Sequence, residues 1–196
     1  MREGNVKRMT KETQILVSIN LDGEGKSSLK IPSGFLAHML DLFSKHGLFD
    51  LEIEAKGDTW IDEHHTVEDL GICLGKAILH AVGEKKGIRR YGTMILPMDD
   101  VLVLVSLDLA GRYAFSFDAS FTREKVGNLP TELVSHFFDS LAQNASMNLH
   151  IKVMTPGNNE HHRIEGIFKA FARALRKAVE IDDRMQGAIP STKGVL

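Results

Sequence analysis

Two short segments repeat a pattern of paired histidines followed by a glutamate. Residues 63–68 read EHHTVE, and residues 160–165 read EHHRIE. On a helix, the first His and the final Glu are four residues apart and share one face, whereas the second His points about 100° away. Each segment therefore predicts a His and a carboxylate for one metal ion, with the other His turned towards a second ion.

A further histidine precedes each pair, in residues 35–41 (FLAHMLD) and 133–139 (LVSHFFD). The repeat thus supplies eight candidate ligands: His38, His64, His65, Glu68, His136, His161, His162 and Glu165. Helix geometry and duplication predict one site with His38, His64, Glu68 and His162. They predict a second site with His65, His136, His161 and Glu165.

Three imidazoles and one carboxylate form a donor set that suits manganese, iron or zinc better than calcium or magnesium. Four protein ligands around an octahedral ion leave two positions open, as a catalytic metal requires. The order of residues differs from the metalloprotease pattern His-Glu-x-x-His, because the Glu follows the paired histidines.

The duplication extends along most of the chain. The offset between matching residues is 88 near Val17 and Val105 but 98 at His38 and His136, so the second half contains extra residues, which we expect around 120–128. Each half reads strand, strand, helix, strand, helix. This pattern predicts an α+β fold with a sheet on one side and helices on the other. The glycine-rich residues 83–92 connect half-repeats 1–92 and 93–196, which together form one compact domain.

The composition is that of a globular protein, with 43% hydrophobic and 26% charged residues among 196. A net charge of −2 gives no electrostatic reason to expect a nucleic-acid or membrane partner. The single cysteine, Cys73, excludes an internal disulfide and fits a reducing compartment. Residues 1–13 lack the apolar segment of a secretory signal. We therefore expect a cytoplasmic protein.

Several of these segments resemble the signature segments of the imidazoleglycerol-phosphate dehydratase family. They are residues 35–41, 62–69 (DEHHTVED), 159–165 (NEHHRIE), 168–170 (FKA) and 191–194 (STKG). The resemblance runs from about residue 11 to the end and fits the monofunctional form. Two positions depart from the family: Ala37 stands where Asp is frequent, and Leu42 stands where many members have Gln.

The resemblance implies a duplicated fold similar to ribosomal protein S5 domain 2, with a four-stranded sheet and two helices in each half. It also implies a homo-oligomer, a shell of 24 subunits with two manganese ions per active site at the subunit boundaries. The implied reaction dehydrates imidazole-glycerol phosphate to imidazole-acetol phosphate in histidine biosynthesis, through an imidazolate stabilised by the metals.

The resemblance also assigns roles to individual residues. Glu12 matches a glutamate near the substrate and is the candidate acid or base, alongside the ligand carboxylates Glu68 and Glu165. The positions that match phosphate contacts in the family are Arg90, Arg112, Lys169, Ser191 and Lys193.

Two other functions fit the same ligands. A two-metal hydrolase of phosphoesters would activate water at the open positions and release phosphate or an alcohol. Alternatively, the metals would only staple a structural oligomer, which closed and fully protein-ligated coordination would favour.

Overall fold

The computed structural model describes residues 1–194 and 196. The first half comprises β1 (Glu3–Met9), β2 (Thr13–Asn20), β3 (Ser27–Lys30), α1 (Gly34–Gly47), β4 (Asp50–Gly57) and α2 (His64–Val82). The second half comprises β5 (Tyr91–Met98), β6 (Val101–Asp108), β7 (Ala114–Asp118), β8 (Lys125–Val126), β9 (Leu129–Pro130), α3 (Glu132–Asn144), β10 (Asn148–Pro156) and α4 (Glu160–Val179). A short 3-10 helix follows at Asp183–Met185.

The two halves contain sheets of identical topology. Their strand orders are β1-β2-β4-β3 and β5-β6-β10-β7. In each sheet one edge pair is parallel, β3 with β4 and β7 with β10, and the other pairs are antiparallel. The prediction of an α+β fold with a four-stranded sheet and two helices in each half is therefore confirmed.

The sequence pattern did not indicate the edge strand β1. Gly4 is its only buried residue, and its side chains are otherwise exposed or half-buried. Its inner face carries Gly4, the half-buried Val6 and Arg8, so the run of alternating apolar residues that identifies a half-buried strand is absent. The more central strands show this alternation clearly: Val101, Val103 and Val105 of β6 are buried and alternate with partly exposed residues.

The helices pack between the two sheets, and those of one half contact those of the other. α2 covers β1 and β2, and α4 covers β5 and β6, while α1 packs on α4 and α3 packs on α2. Phe43 of α1 stacks on Phe171 of α4 with ring centroids 5.7 Å apart. Both halves therefore contribute to one hydrophobic core. The division at residue 92 stays a prediction; β5 begins at Tyr91.

The extra residues of the second half lie between β7 and α3. Thirteen residues separate these two elements, whereas three residues separate β3 from α1. The difference of ten equals the change in repeat offset from 88 to 98. The inserted segment contains the β8–β9 hairpin, and its Val126 and Leu129 are buried.

None of the helices within residues 1–194 and 196 has a stretch long and apolar enough to cross a bilayer.

Candidate metal centre

The first group of possible ligands joins α1 and α4. His161 and Glu165 lie one turn apart on α4, with His161 Nε2 3.1 Å from Glu165 Oε2. His38 of α1 places its Nε2 3.8 Å from the same carboxylate oxygen. The ligand atoms of all three residues lie within 4.8 Å of one another.

The second group joins α2 and α3 in the same manner. His64 and Glu68 are on α2, and His136 of α3 places its Nε2 3.6 Å from Glu68 Oε1. The rings of His64 and His136 have centroids 4.6 Å apart. The His136 Nε2 is buried and has no hydrogen-bond partner among the residues that the structure describes. A buried imidazole nitrogen of this kind is free to bind a cation.

Both groups suit a divalent transition-metal ion. Bonds of about 2 Å to one ion put neighbouring donors roughly 3 Å apart and opposite donors roughly 4 Å apart, close to the separations seen here. Two imidazoles and one carboxylate are donors for manganese, iron or zinc. Each group provides three donors from this chain, which leaves coordination positions for further ligands.

The groups that form within one chain differ from the predicted distribution of ligands. His38 and His136 each lie in the group opposite to the one predicted. His38 lies with His161 and Glu165, and His136 lies with His64 and Glu68. The reason is that each helix packs against a helix of the other half, α1 on α4 and α3 on α2. In both helices the first His and the Glu four residues later do lie together, as expected; their binding of a metal ion stays a prediction.

The second histidine of each pair, His65 or His162, lies outside both groups. His65 Nδ1 is 2.9 Å from Oδ2 of the buried Asp58, and this hydrogen bond raises the pKa of His65. His162 Nδ1 lies 3.3 Å from Oδ2 of Asp99. Glu12, in the β1–β2 turn, places Oε1 4.0 Å from His65 Nε2.

Sequence reasoning missed Asp58 and Asp99. Metal-binding histidines usually donate their second ring N–H to a carboxylate, and this rule could have pointed to acidic residues such as these. With 26 acidic residues in the chain, this rule alone does not select them.

Lys169 contacts the carboxylate of the first group. Its Nζ lies 2.5 Å from Glu165 Oε1. Burial raises the pKa of Glu165, but the hydrogen bond and charge of Lys169 outweigh it and leave that pKa below its usual value. Glu165 is therefore an anion at neutral pH, as a metal ligand must be.

The other candidate phosphate contacts lie near the C-terminal segment. Arg90 holds Asp108 through two bonds of 2.7 and 3.0 Å and donates from Nη1 to the carbonyl of Pro190, the residue before Ser191. A Cβ on Gly111, the residue before Arg112, would lie 2.7 Å from the backbone of Leu196. Lys193 follows in the same segment and is exposed.

Within one chain, this C-terminal region is remote from the first group. The backbone N–H of Arg90 binds the carbonyl of Ala178. Glu165 lies thirteen residues earlier on α4, about 20 Å along the helix axis. One small phosphate ester does not bridge this distance, so the structure brings Arg90 and Ser191 together but leaves Lys169 with the metal ligands.

The fold and the site define a duplicated α+β protein with two His/His/Glu groups suited to transition-metal ions. The family model described as imidazoleglycerol-phosphate dehydratase matches residues 32–175. An imidazoleglycerol-phosphate dehydratase from Acetivibrio thermocellus is 57% identical over 195 residues, which cover 100% of this chain and 99% of the relative.

Two solved structures support the same relationship. The imidazoleglycerol-phosphate dehydratase of Staphylococcus aureus superposes with a TM-score of 0.83 at 43% identity, covering 92% of this chain and 99% of that chain. The enzyme from Pyrococcus furiosus gives a TM-score of 0.82 at 35% identity and covers 97% and 100%. The chain therefore belongs to the imidazoleglycerol-phosphate dehydratase family, as the motifs predicted.

Proposed function

We propose that this chain dehydrates imidazole-glycerol phosphate with two manganese ions, one at each His/His/Glu group. As a member of its family the chain is a lyase of histidine biosynthesis, and its product is imidazole-acetol phosphate. The main support for the metal sites is that His38 and His136 each reach a His/Glu pair on a helix of the other half. The hydrolase and the structural oligomer gain no comparable support, because the matched relatives carry the name of a dehydratase.

Bound manganese would supply a Lewis acid that stabilises negative charge on the imidazole ring. The side chains of the protein hold carboxylate and imidazole donors in fixed positions. Glu165 is kept anionic by Lys169, and Glu68 occupies the matching position of the second group. Glu12 is the proposed acceptor of the carbon-bound proton, because its carboxylate is half-exposed and lies beside His65.

The proposed active site is shared between copies of the chain in a homo-oligomeric shell of 24 subunits. Two features support sharing. His65 and His162 are outside the groups formed within the chain, so they are available to groups of neighbouring copies. Within one chain, Arg90 and the C-terminal segment lie too far from Glu165 to bind the same substrate molecule.

The proposed phosphate contacts form two sets. Arg112, Ser191 and Lys193 are proposed to bind the phosphate together with Arg90, and Lys169 is proposed to contact the phosphate at the metal group.

The cytoplasm is the proposed location, since the lone buried thiol suits a reducing compartment.

The decisive experiment is turnover of imidazole-glycerol phosphate by chelator-stripped protein before and after addition of manganese, following the ketone product. Magnesium serves as the control ion, because it prefers all-oxygen ligands. Activity that returns with manganese and not with magnesium supports the proposal. Release of inorganic phosphate would indicate the hydrolase, and assembly without turnover, measured by light scattering on the same samples, would indicate the structural oligomer.

A further inference from the structure

The glutamate that precedes each His pair is repeated but belongs to neither metal group. Glu63 precedes His64, and Glu160 precedes His161. Both glutamates contact one segment, residues 120–131, which contains the insertion of the second half and which we call the strap. The contacts are three strap residues apart, at Thr122 and Lys125.

The attachment of the strap to α4 is buried and multiple. Glu160 is 4% exposed, and its Oε1 accepts hydrogen bonds from the backbone N–H and from the hydroxyl of Thr122, the latter at 2.7 Å. Arg163, one turn further along α4, donates to the carbonyl of Ser120. Glu160 thus joins the strap to the first turn of α4 through two hydrogen bonds.

The attachment to α2 is an ion pair, with Lys125 Nζ 3.5 Å from Oε2 of Glu63. The lysine side chain is 55% exposed, whereas that of Glu63 is 18% exposed. This contact is weaker than the one to α4, because exposed ion pairs gain little over hydration.

The strap also contacts the beginning of α1. Ser33, the N-cap of α1, donates its hydroxyl to Asn128 Oδ1 at 3.0 Å. Gly127, in the hairpin turn at a φ of 59°, leaves so little space that an added Cβ would lie 3.0 Å from Cβ of Phe35. The Phe35 ring in turn packs edge-on against the ring of His161, with centroids 5.0 Å apart.

The strap ends at the start of α3. Thr131 precedes the first residue of α3, donates its backbone N–H to the carbonyl of Glu124 at 2.9 Å, and donates its hydroxyl to that of Arg123 at 2.7 Å. The strap thus contacts the N-terminal ends of all four helices that carry the two groups, α1 to α4. Buried Val126 and Leu129 fix its middle in the core.

We propose that the strap is a positioning element for both metal groups, with Glu160 and Glu63 as positioning residues. Each group takes ligands from helices of both halves, so the distance between donors depends on how the halves are held. The strap bonds to the helix ends where the ligands lie, and a ligand set holds a metal well only when its donors are fixed to within about 0.5 Å. This inference rests on the proposed metal sites.

The test measures manganese binding by calorimetry on metal-free protein, together with kcat and KM. Glu160→Ala removes the acceptor of Thr122 and is expected to raise the dissociation constant of manganese about tenfold, the lower end of effects seen for outer-shell residues. Glu160→Gln retains an acceptor oxygen and is expected to recover most of the affinity. Lys125→Ala, at an exposed site, is expected to weaken only the ion on the α2 group, about twofold. Glu84→Ala is the matched control, because Glu84 is exposed and pairs with Lys86, away from the strap.

The outcomes separate the two proposals. Failure of the unmodified chain to bind manganese would overturn both the metal sites and the strap's role. If Glu160→Ala binds manganese as tightly as the unmodified chain and only its thermal unfolding midpoint falls, the strap is a stabilising segment and not a positioning one. Circular dichroism of each metal-free variant verifies that it folds; should Glu160→Ala not fold, an unchanged affinity of the α2 group in Lys125→Ala would overturn the inference.

Discussion

Gly4 of β1 crosses Ala77 of α2 so closely that a Cβ on the glycine would lie 1.9 Å from the Ala77 carbonyl oxygen. The second half repeats the contact, since a Cβ on Gly92 of β5 would lie 1.8 Å from the carbonyl oxygen of Ala174 in α4. The edge strand of each sheet therefore packs directly on the backbone of the helix that carries a His/Glu pair. A side chain at either glycine would push that helix away from its sheet.

We expect Gly4→Ala to destabilise the protein, because overpacking of a fixed backbone contact costs about 1–3 kcal/mol or more. For a chain of this size the thermal unfolding midpoint should fall by roughly 5 °C. Gly34→Ala is the matched control, since a Cβ at Gly34 would meet nothing within 4 Å. Equal midpoints for Gly4→Ala and Gly34→Ala would contradict the close packing of β1 on α2.

The pairing of His38 with Glu165 leads to a prediction about metal stoichiometry. We expect His38→Ala and the double variant His38→Ala/Glu165→Gln each to lose the same ion, because both residues belong to one group. His38→Ala combined with Glu68→Gln should lose both ions, since these residues belong to different groups. Metal content after desalting, measured by plasma emission, distinguishes the cases. Loss of only one ion in the second combination would favour the ligand distribution expected from sequence.

Burial of Cys73 predicts an unreactive thiol. Burial raises the pKa of Cys73 to about 11, from the ordinary 9.0. Because the thiolate is the reactive form, iodoacetamide at pH 8 should leave the folded protein unmodified while alkylating the denatured protein completely. Intact mass reports the outcome. Rapid alkylation of the folded chain would show that α2 opens readily around Cys73.

The same pKa shift has a consequence for stability at high pH. The unfolded chain ionises the thiol from about pH 9, while the folded chain keeps the proton until about pH 11. The stabilisation contributed by the protonated thiol is therefore complete below pH 9 and is lost as the pH rises towards 11. Across this window the free energy of unfolding should fall less in Cys73→Ala than in the unmodified chain.

Arg90→Lys is expected to raise the KM for imidazole-glycerol phosphate about tenfold, with a smaller effect on kcat, because the loss of a charge-assisted hydrogen bond costs about 1.5–3 kcal/mol. Lysine lacks the planar fork that holds Asp108 with two bonds and reaches Pro190 with a third. Arg89→Lys is the control, because Arg89 is exposed and contacts Glu180. An unchanged KM in Arg90→Lys would remove Arg90 from the proposed phosphate site.

The sequence alone predicted the fold class and the candidate ligands, because both depend on local spacing. A four-residue interval places His161 and Glu165 on one helix face whatever the tertiary structure. The sequence repeat supports the same inference for His64 and Glu68 on α2. The helix that supplies the third ligand of each group could not be predicted in this way, since no spacing within α4 specifies that α1 packs against it. This is why the groups within one chain differ from those predicted for His38 and His136.

Other features depend on contacts between residues distant in sequence. Asp58 and the strap residue Thr122 look like ordinary polar loop residues until the fold brings them to His65 and Glu160. β1 was missed for a related reason: it has one buried residue, so its place in the sheet is determined by pairing with β2 and not by its own pattern. Leu42, one of the two departures from the family, packs against the core, which accounts for an apolar residue there.

The packing of helices from one half against helices of the other half has an evolutionary consequence. Neither half holds a complete group alone, because each His/Glu pair needs a histidine from the opposite half. A half-length ancestor would have assembled such a group only after two copies associated, so its affinity for metal would have varied with its own concentration. Joining the copies in one polypeptide makes that encounter intramolecular, at an effective concentration set by the connecting residues 83–92. Gene fusion would thus have made the assembly of each three-donor group independent of how much protein the cell contained.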